Sequence, residues 1–235
     1  MRVAIYFTPA VDHPITQAAN DWIGRDLSDG PVQQKAVGAL SAEEVRAITE
    51  APRRYGFHAT LKPPFSLVDG ASEEDVDQAL RNFCAEHGVI ELGPLEIRAI
   101  GPFFALVPQN DVPEVRALAD AAVEAFEPFR APLSDEDRAR RRPEELTERQ
   151  RDYLDRWGYP YVFDEFRFHM TLTGPVSGER RSIVEGALHQ HFGSVIETSL
   201  ALDGVSLLTE PERGAFFQVH ARCNLRGPSE RKPNT

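Results

Sequence analysis

His58 and Thr60, with one residue between them, and His169 and Thr171, spaced the same way, are the residues in this chain best suited to chemistry. An imidazole of ordinary pKa, about 6.5, takes up or returns a proton close to neutrality. Two of them on opposite sides of one phosphodiester supply both halves of general acid–base catalysis. One removes a proton from the attacking water or hydroxyl, and the other protonates the leaving oxygen. The threonine hydroxyls can donate to the non-bridging oxygens, through bonds that strengthen as negative charge develops. Threonine adds no net positive charge. Lys62, Arg167, and Tyr55 or Arg54 are the candidates to contact the anion.

The elements that carry these residues repeat. Phe57-His58-Ala59-Thr60-Leu61-Lys62 ends at Pro63-Pro64, and Phe168-His169-Met170-Thr171-Leu172-Thr173 ends at Gly174-Pro175. Apolar and polar residues alternate in both, as in a half-buried strand, and side chains two apart leave the same face. His58, Thr60 and Lys62 are expected on one face, with Phe57, Ala59 and Leu61 in a core. Arg167, His169, Thr171 and Thr173 sort the same way against Phe168, Met170 and Leu172. On this parity Arg167 is favoured over Lys62, which could carry its ammonium to solvent, and Tyr55 shares the parity of Phe57. A lone His-x-Thr would be read as a half-buried histidine with a satisfied ring, whereas two in repeated context point to catalysis.

The repeat extends beyond the motifs. A strand at Arg2–Thr8 leads into a helix from about Pro14 to Leu27, and a strand at Phe103–Val107 into a helix from Pro113 to Phe126. Ser41 with Glu44 marks a short capped helix, and Ser72 opens another that is expected to end at Gly88. Val89-Ile90-Glu91 returns as Val195-Ile196-Glu197, read as strand, and Phe216–His220 echoes Phe103-Phe104. A duplicated unit of this make-up predicts an α+β protein of two lobes. The first is 1–100, the second 101–225 with an Arg-rich helical insert at 129–165, and 226–235 forms a flexible tail. Antiparallel sheets would carry helices on their outer faces and present the two His-Thr pairs across a central cleft.

Within the insert, Arg138, Arg140, Arg141 and Arg142 stand among Asp135, Glu136, Asp137, Glu144 and Glu145. They form either a solvated helix laced with ion pairs or a lid whose arginines reach a phosphate. Trp157-Gly158-Tyr159-Pro160-Tyr161 is assigned to the core, with stacking on a base or sugar as the alternative.

The net charge of −11 argues against general affinity for nucleic acid, which needs a basic footprint. It leaves room for a small anionic, phosphate-containing substrate in a locally positive pocket. No apolar run approaches the length of a membrane span, and the start lacks the pattern of a secretory leader. Cys84 and Cys223 form no disulfide framework and fit a reducing cytoplasm as small buried hydrophobes. The other histidines, including His189 and His191, lack metal-ligand spacing, so neither metal nor cofactor is expected.

The paired His58-Ala59-Thr60 and His169-Met170-Thr171 motifs in a duplicated unit resemble the 2H phosphoesterase superfamily. Three stretches resemble more closely a 2H-like family of bacterial phosphonate-metabolism operons. These are Arg54-Tyr55-Gly56-Phe57-His58-Ala59-Thr60-Leu61-Lys62-Pro63-Pro64-Phe65, Trp157-Gly158-Tyr159-Pro160-Tyr161-Val162 and Phe166-Arg167-Phe168-His169-Met170-Thr171-Leu172-Thr173-Gly174. The resemblance implies a two-lobed α+β fold, metal-free chemistry at both histidines, phosphate contacts from both threonines, and a small phosphorylated or cyclic-phosphate metabolite as substrate. Three functions stay open on the sequence: hydrolysis of such a small cyclic phosphate, processing of RNA 2′,3′-cyclic or 2′,5′ ends, and a non-catalytic module that binds a phosphorylated metabolite.

Overall fold

Strand β1 (Arg2–Phe7) is apolar at almost every position because it is covered on both faces. Val3, Ile5 and Phe7 enter the main core, while Ala4 and Tyr6 join a smaller cluster with Leu208 and Phe217 on the other face. The computed structural model describes residues 1–227.

After β1 come α1 (Pro14–Ile23), the short pair β2 (Arg25–Asp26) and β3 (Gly30–Pro31), α2 (Ala42–Ile48), α3 (Glu50–Tyr55) and β4 (Ala59–Phe65). Next are α4 (Glu73–Glu86), β5 (Ile90–Gly93), β6 (Leu95–Ile100), β7 (Phe103–Pro108) and α5 (Pro113–Ala125). The insert holds α6 (Asp135–Ala139) and α7 (Glu148–Trp157), and the chain continues through β8 (Met170–Thr171), α8 (Arg181–Phe192), β9 (Leu200–Leu202), β10 (Gly204–Glu210) and β11 (Gln218–Asn224).

The architecture is α+β with antiparallel pairing. Seven strands form one sheet in the order β11-β10-β1-β4-β8-β7-β6, and β5 pairs separately with β9. The motif strands β4 and β8 are thus neighbours at the centre of one sheet, where the sequence suggested two sheet faces meeting across a cleft. The halves of the chain interleave. Strand β6 pairs with β7 of the second half, β10 pairs with β1 of the first, and β5 with β9. Helices α1, α4, α5 and α8 bury apolar stripes such as Val115, Leu118, Ala119 and Ala122 in the main core, with α5 lying against β4.

Local signals place most element ends. The hydroxyl of Ser41 accepts from the Glu44 amide while the Glu44 carboxylate accepts from the Ser41 amide, starting α2, and Ser72 with Asp75 does the same for α4. Gly24 stops α1 in the left-handed region at φ 80°, short of Leu27. Helix α4 ends one residue before an extended His87, so Gly88 is not its cap. Val195-Ile196-Glu197 lies in a 3-10 turn entered through Gly193 at φ 42°, and the strand that pairs with β5 starts later, at Leu200. The final strand begins at Gln218 rather than Phe216. Of the tail, 228–235 lies outside the described residues, while the amides of Arg226 and Gly227 donate to the carbonyls of Cys84 (3.0 Å) and His87 (2.8 Å).

Candidate active site

Register fixes the site. Ala59 of β4 pairs with Met170 of β8 in antiparallel sense. Their side chains, wholly buried, point into the core. The positions on either side of this pair therefore share the opposite face, with 58 across from 171 and 60 across from 169. Opposite positions in an antiparallel pair have Cβ atoms about 5 Å apart, and diagonal ones about 7 to 8 Å. Each histidine thus stands across from the other motif's threonine. The two histidines lie on the diagonal, a separation that one phosphoryl group can span.

The two rings are held alike. His58 Nδ1 lies 2.9 Å from the Gly56 carbonyl and His169 Nδ1 lies 2.8 Å from the Arg167 carbonyl. A carbonyl only accepts, so Nδ1 carries the proton in both, and Nε2 keeps its lone pair for the cavity. The Thr60 hydroxyl donates to His58 Nε2 at 3.3 Å. Each imidazole also meets an aromatic ring from the adjacent strand. Tyr6 stacks on His58 at 3.9 Å between centroids and 18° between planes, and Phe103 lies 5.8 Å from His169.

Burial pushes the His58 imidazole down to about 4. His169 beside it pushes the same way, and the bond to Gly56 only partly offsets them. Burial also lowers His169, against the bond to the Arg167 carbonyl. Both rings are neutral at physiological pH, with Nε2 ready to accept. The Tyr6 and Tyr159 phenols are raised by burial and remain protonated.

Two adjoining cavities open on this face. One of about 250 Å³ is bordered by His58, Thr60, Thr171, Tyr6 and Tyr55. The other, of about 490 Å³, is bordered by His169, Arg167, Phe103 and Tyr161. Thr60, Pro63 and Tyr159 belong to both walls. Tyr55, the last residue of α3 rather than part of the motif strand, stacks on Phe217 at 5.1 Å. Arg167 is exposed at the rim of the His169 cavity. Thr173 is buried and accepts from the Phe104 amide at 3.0 Å, which is a structural task.

Lys62 is not with this group. Strand β4 runs on through Pro63 and Pro64 to Phe65, and its register against β1 jumps from Tyr6↔Thr60 to Ile5↔Lys62. Leu61 is therefore the extra residue of a bulge. Past it, Lys62 takes the face of Ile5 and is 1% exposed. Its ammonium donates to the Val123 carbonyl at 2.7 Å and to the Glu127 carboxylate at 2.8 Å, beneath α5. The prolines fit because β8, two residues long, leaves that part of β4 without a partner on one side.

Three residues the motif reading did not select border the cavities. Tyr6 was hidden in an apolar strand whose second buried face the sequence did not reveal. Tyr159 forms a wall rather than part of the core. Arg141 is the one member of the insert's arginine run that reaches the His58 cavity. Its neighbours are paired, Arg138 with Asp155 at 2.8 Å, Arg140 with Glu136 at 2.5 Å and Arg142 with Glu145 at 2.9 Å. The run is therefore mostly the solvated, ion-paired surface, with one exception. Cys84, raised to about 12 by burial, is an inert core thiol. Among the described residues no group of three His, Cys, Asp or Glu side chains could hold a metal ion. Nor is any of their helices long and apolar enough to cross a membrane.

Among solved structures, the chain is similar to a protein solved as a phosphoesterase, at 12% identity, TM-score 0.43, and 95% and 97% of the two chains covered. It is also similar to TT0787 of Thermus thermophilus, at 13% identity, TM-score 0.45, and 97% and 99% covered. A third is LigT of E. coli in complex with 3′-AMP, at 12% identity, TM-score 0.40, and 95% and 97% covered. By sequence, residues 60–218 match the model of DUF1045, described as a protein of unknown function, and the chain belongs to that family. Two curated relatives bear the name ribose 1,5-bisphosphate phosphokinase PhnN. The one from Janthinobacterium sp. (strain Marseille) is 38% identical over 98% of this chain and 52% of its own length. The one from Laribacter hongkongensis (strain HLHK9) is 32% identical over 96% and 51%. The chain spans about half the length of these relatives.

Proposed function

We propose that the protein is a phosphodiesterase that opens a small cyclic phosphate through His58 and His169. The observation that carries this reading is the Ala59↔Met170 pairing, which puts both histidines and both threonines on one face. The backbone bonds that hold each Nδ1–H leave both Nε2 atoms unprotonated, with His58 Nε2 accepting from the Thr60 hydroxyl. The diester binds with its phosphorus between the rings, and the Thr60 hydroxyl, turned away from His58 Nε2, and the Thr171 hydroxyl donate to its non-bridging oxygens.

His58, the ring held down to about 4, is the base. Its Nε2 takes a proton from water as the water oxygen bonds to phosphorus. His169, protonated at Nε2 once the anionic ester lies against it, gives that proton to the alkoxide as the ester P–O bond breaks. The products are a phosphomonoester and a free hydroxyl. The protons return to their starting distribution when His58 passes its own to solvent and His169 regains one. The kinase activity in the relatives' name is not carried over to a chain half their length, but the name supports a phosphorylated ribose as the class of metabolite.

The test is hydrolysis of cyclic phosphates followed by phosphorus NMR in the presence of a chelator. His58→Ala and His169→Ala should each lose turnover by a factor on the order of 10² to 10⁴ with the fold intact. Full turnover by either variant would reject the paired mechanism. Ligand-induced thermal stabilisation with no ester consumed would mark a binding module instead.

A further inference from the structure

We infer that the substrate carries a second phosphoryl group, apart from the scissile diester, and that it is bound in a cationic cavity beside His58. The inference rests on the phosphodiesterase reading for the word substrate, but the cavity stands on its own features. It measures about 540 Å³ and shares Arg2, Tyr55, Pro63, Pro64 and Arg141 with the His58 cavity, so one ligand can occupy both.

Its charge is out of keeping with a chain of net −11. Seven cations border it: Arg2, Arg54, Lys62, Arg130, Arg140, Arg141 and Arg213. The carboxylates that answer them are fewer. Arg2 and Arg54 share the fully buried Glu210, and Lys62 and Arg130 share Glu127. Arg140 has Glu136, and Arg213 has Asp137. Arg141 has no carboxylate partner among the described residues and lies 4.9 Å over the Tyr159 ring. Seven cations against four carboxylates leave three positive charges around one cavity.

Like charges gathered in a confined space repel one another, and a bound anion relieves that cost. A phosphomonoester suits the site, because it brings nearly two negative charges and terminal oxygens that guanidinium forks match in pairs. Arg141 belongs to both cavities and carries the recognition from one to the other. The arrangement also orients the ligand. Its second phosphate lies on the His58 side, and the remaining apolar part lies toward Phe103 and Tyr161 on the His169 side.

The test compares adenosine 2′,3′-cyclic phosphate with the same compound bearing a 5′-phosphate. Hydrolysis by the wild type is read by phosphorus NMR. Binding of both compounds is read by calorimetry on the double variant His58→Ala, His169→Ala, which needs no turnover. The 5′-phosphorylated ester should be preferred on the order of 100-fold in kcat/KM, and its binding should weaken steeply with salt. Arg141→Gln, which breaks no ion pair, should cut that preference about tenfold, and Arg213→Gln should lower it further. Equal turnover and equal binding of the two esters would overturn the inference and leave the phosphodiesterase reading standing. A strong, Arg141-dependent preference in binding with no hydrolysis of either ester would do the reverse. It would keep the anion cavity and remove the enzyme.

Discussion

Lowering the pH should destabilise this protein through His58 in particular. The ring is pushed down to about 4 in the folded chain, chiefly by burial against Tyr6, whereas an unfolded histidine titrates near 6.5. Because the folded value is the lower one, the unfolded chain takes up the proton first. Stability is therefore full above about pH 6.5 and falls as pH drops toward about 4. At about pH 5 the unfolded ring is almost wholly protonated while His58 is still largely neutral, a difference of about 2 kcal/mol. The ring is partly open to its cavity, and screening by water there brings the figure to between about 1 and 2 kcal/mol.

The assay is urea unfolding of the wild type and of His58→Asn at about pH 8 and about pH 5. Titrating groups other than the neighbouring His169 affect both proteins equally, so the wild type should lose about 1 to 2 kcal/mol more than the variant over that interval. Equal losses would mean that His58 is not desolvated, and would refute the argument that it enters catalysis as a neutral base.

Further perturbations test other parts of the structure. Glu127→Ala leaves the buried Lys62 ammonium without its carboxylate and should cost about 3 kcal/mol in urea unfolding. Lys62→Met should leave KM unchanged for a cyclic phosphate that bears no second phosphate, and a large rise in that KM would place Lys62 in the His58 and His169 cavities, whose walls it does not join. Thr60→Val and Thr171→Val should each lower kcat by a factor on the order of 10² with a smaller change in KM. Trp22→Phe removes the indole donor to the Leu172 carbonyl and should cost about 1 kcal/mol by thermal or urea unfolding.

The shared face of each His-Thr pair was legible because a period-two pattern determines which side chains point the same way. Once His58 and Thr60 alternate with buried Phe57, Ala59 and Leu61, the backbone has little choice. Helix starts were legible for the same local reason, as at Ser41 with Glu44. What failed were inferences carried past an irregularity or across the chain. Parity predicts Lys62 beside Thr60, but one bulged residue, Leu61, reverses it, and nothing in the local alternation marks the bulge. Val195-Ile196-Glu197 has the composition of a strand, yet the partner for β5 is supplied by Leu200–Leu202, a non-local preference. Tyr6 and Arg141 reach the site only through sheet order and the path of the insert, neither of which is encoded in spacing.

The central claim is that both imidazoles act on one phosphoryl group. A crystal structure of the protein soaked with orthovanadate, a mimic of the pentacoordinate transition state, tests it most directly. The account predicts a single vanadate with His58 Nε2 and His169 Nε2 each at about 3 Å from one of its oxygens, and both threonine hydroxyls on the others. A vanadate that touches one histidine alone, or that binds away from the Ala59–Met170 pair, would contradict it.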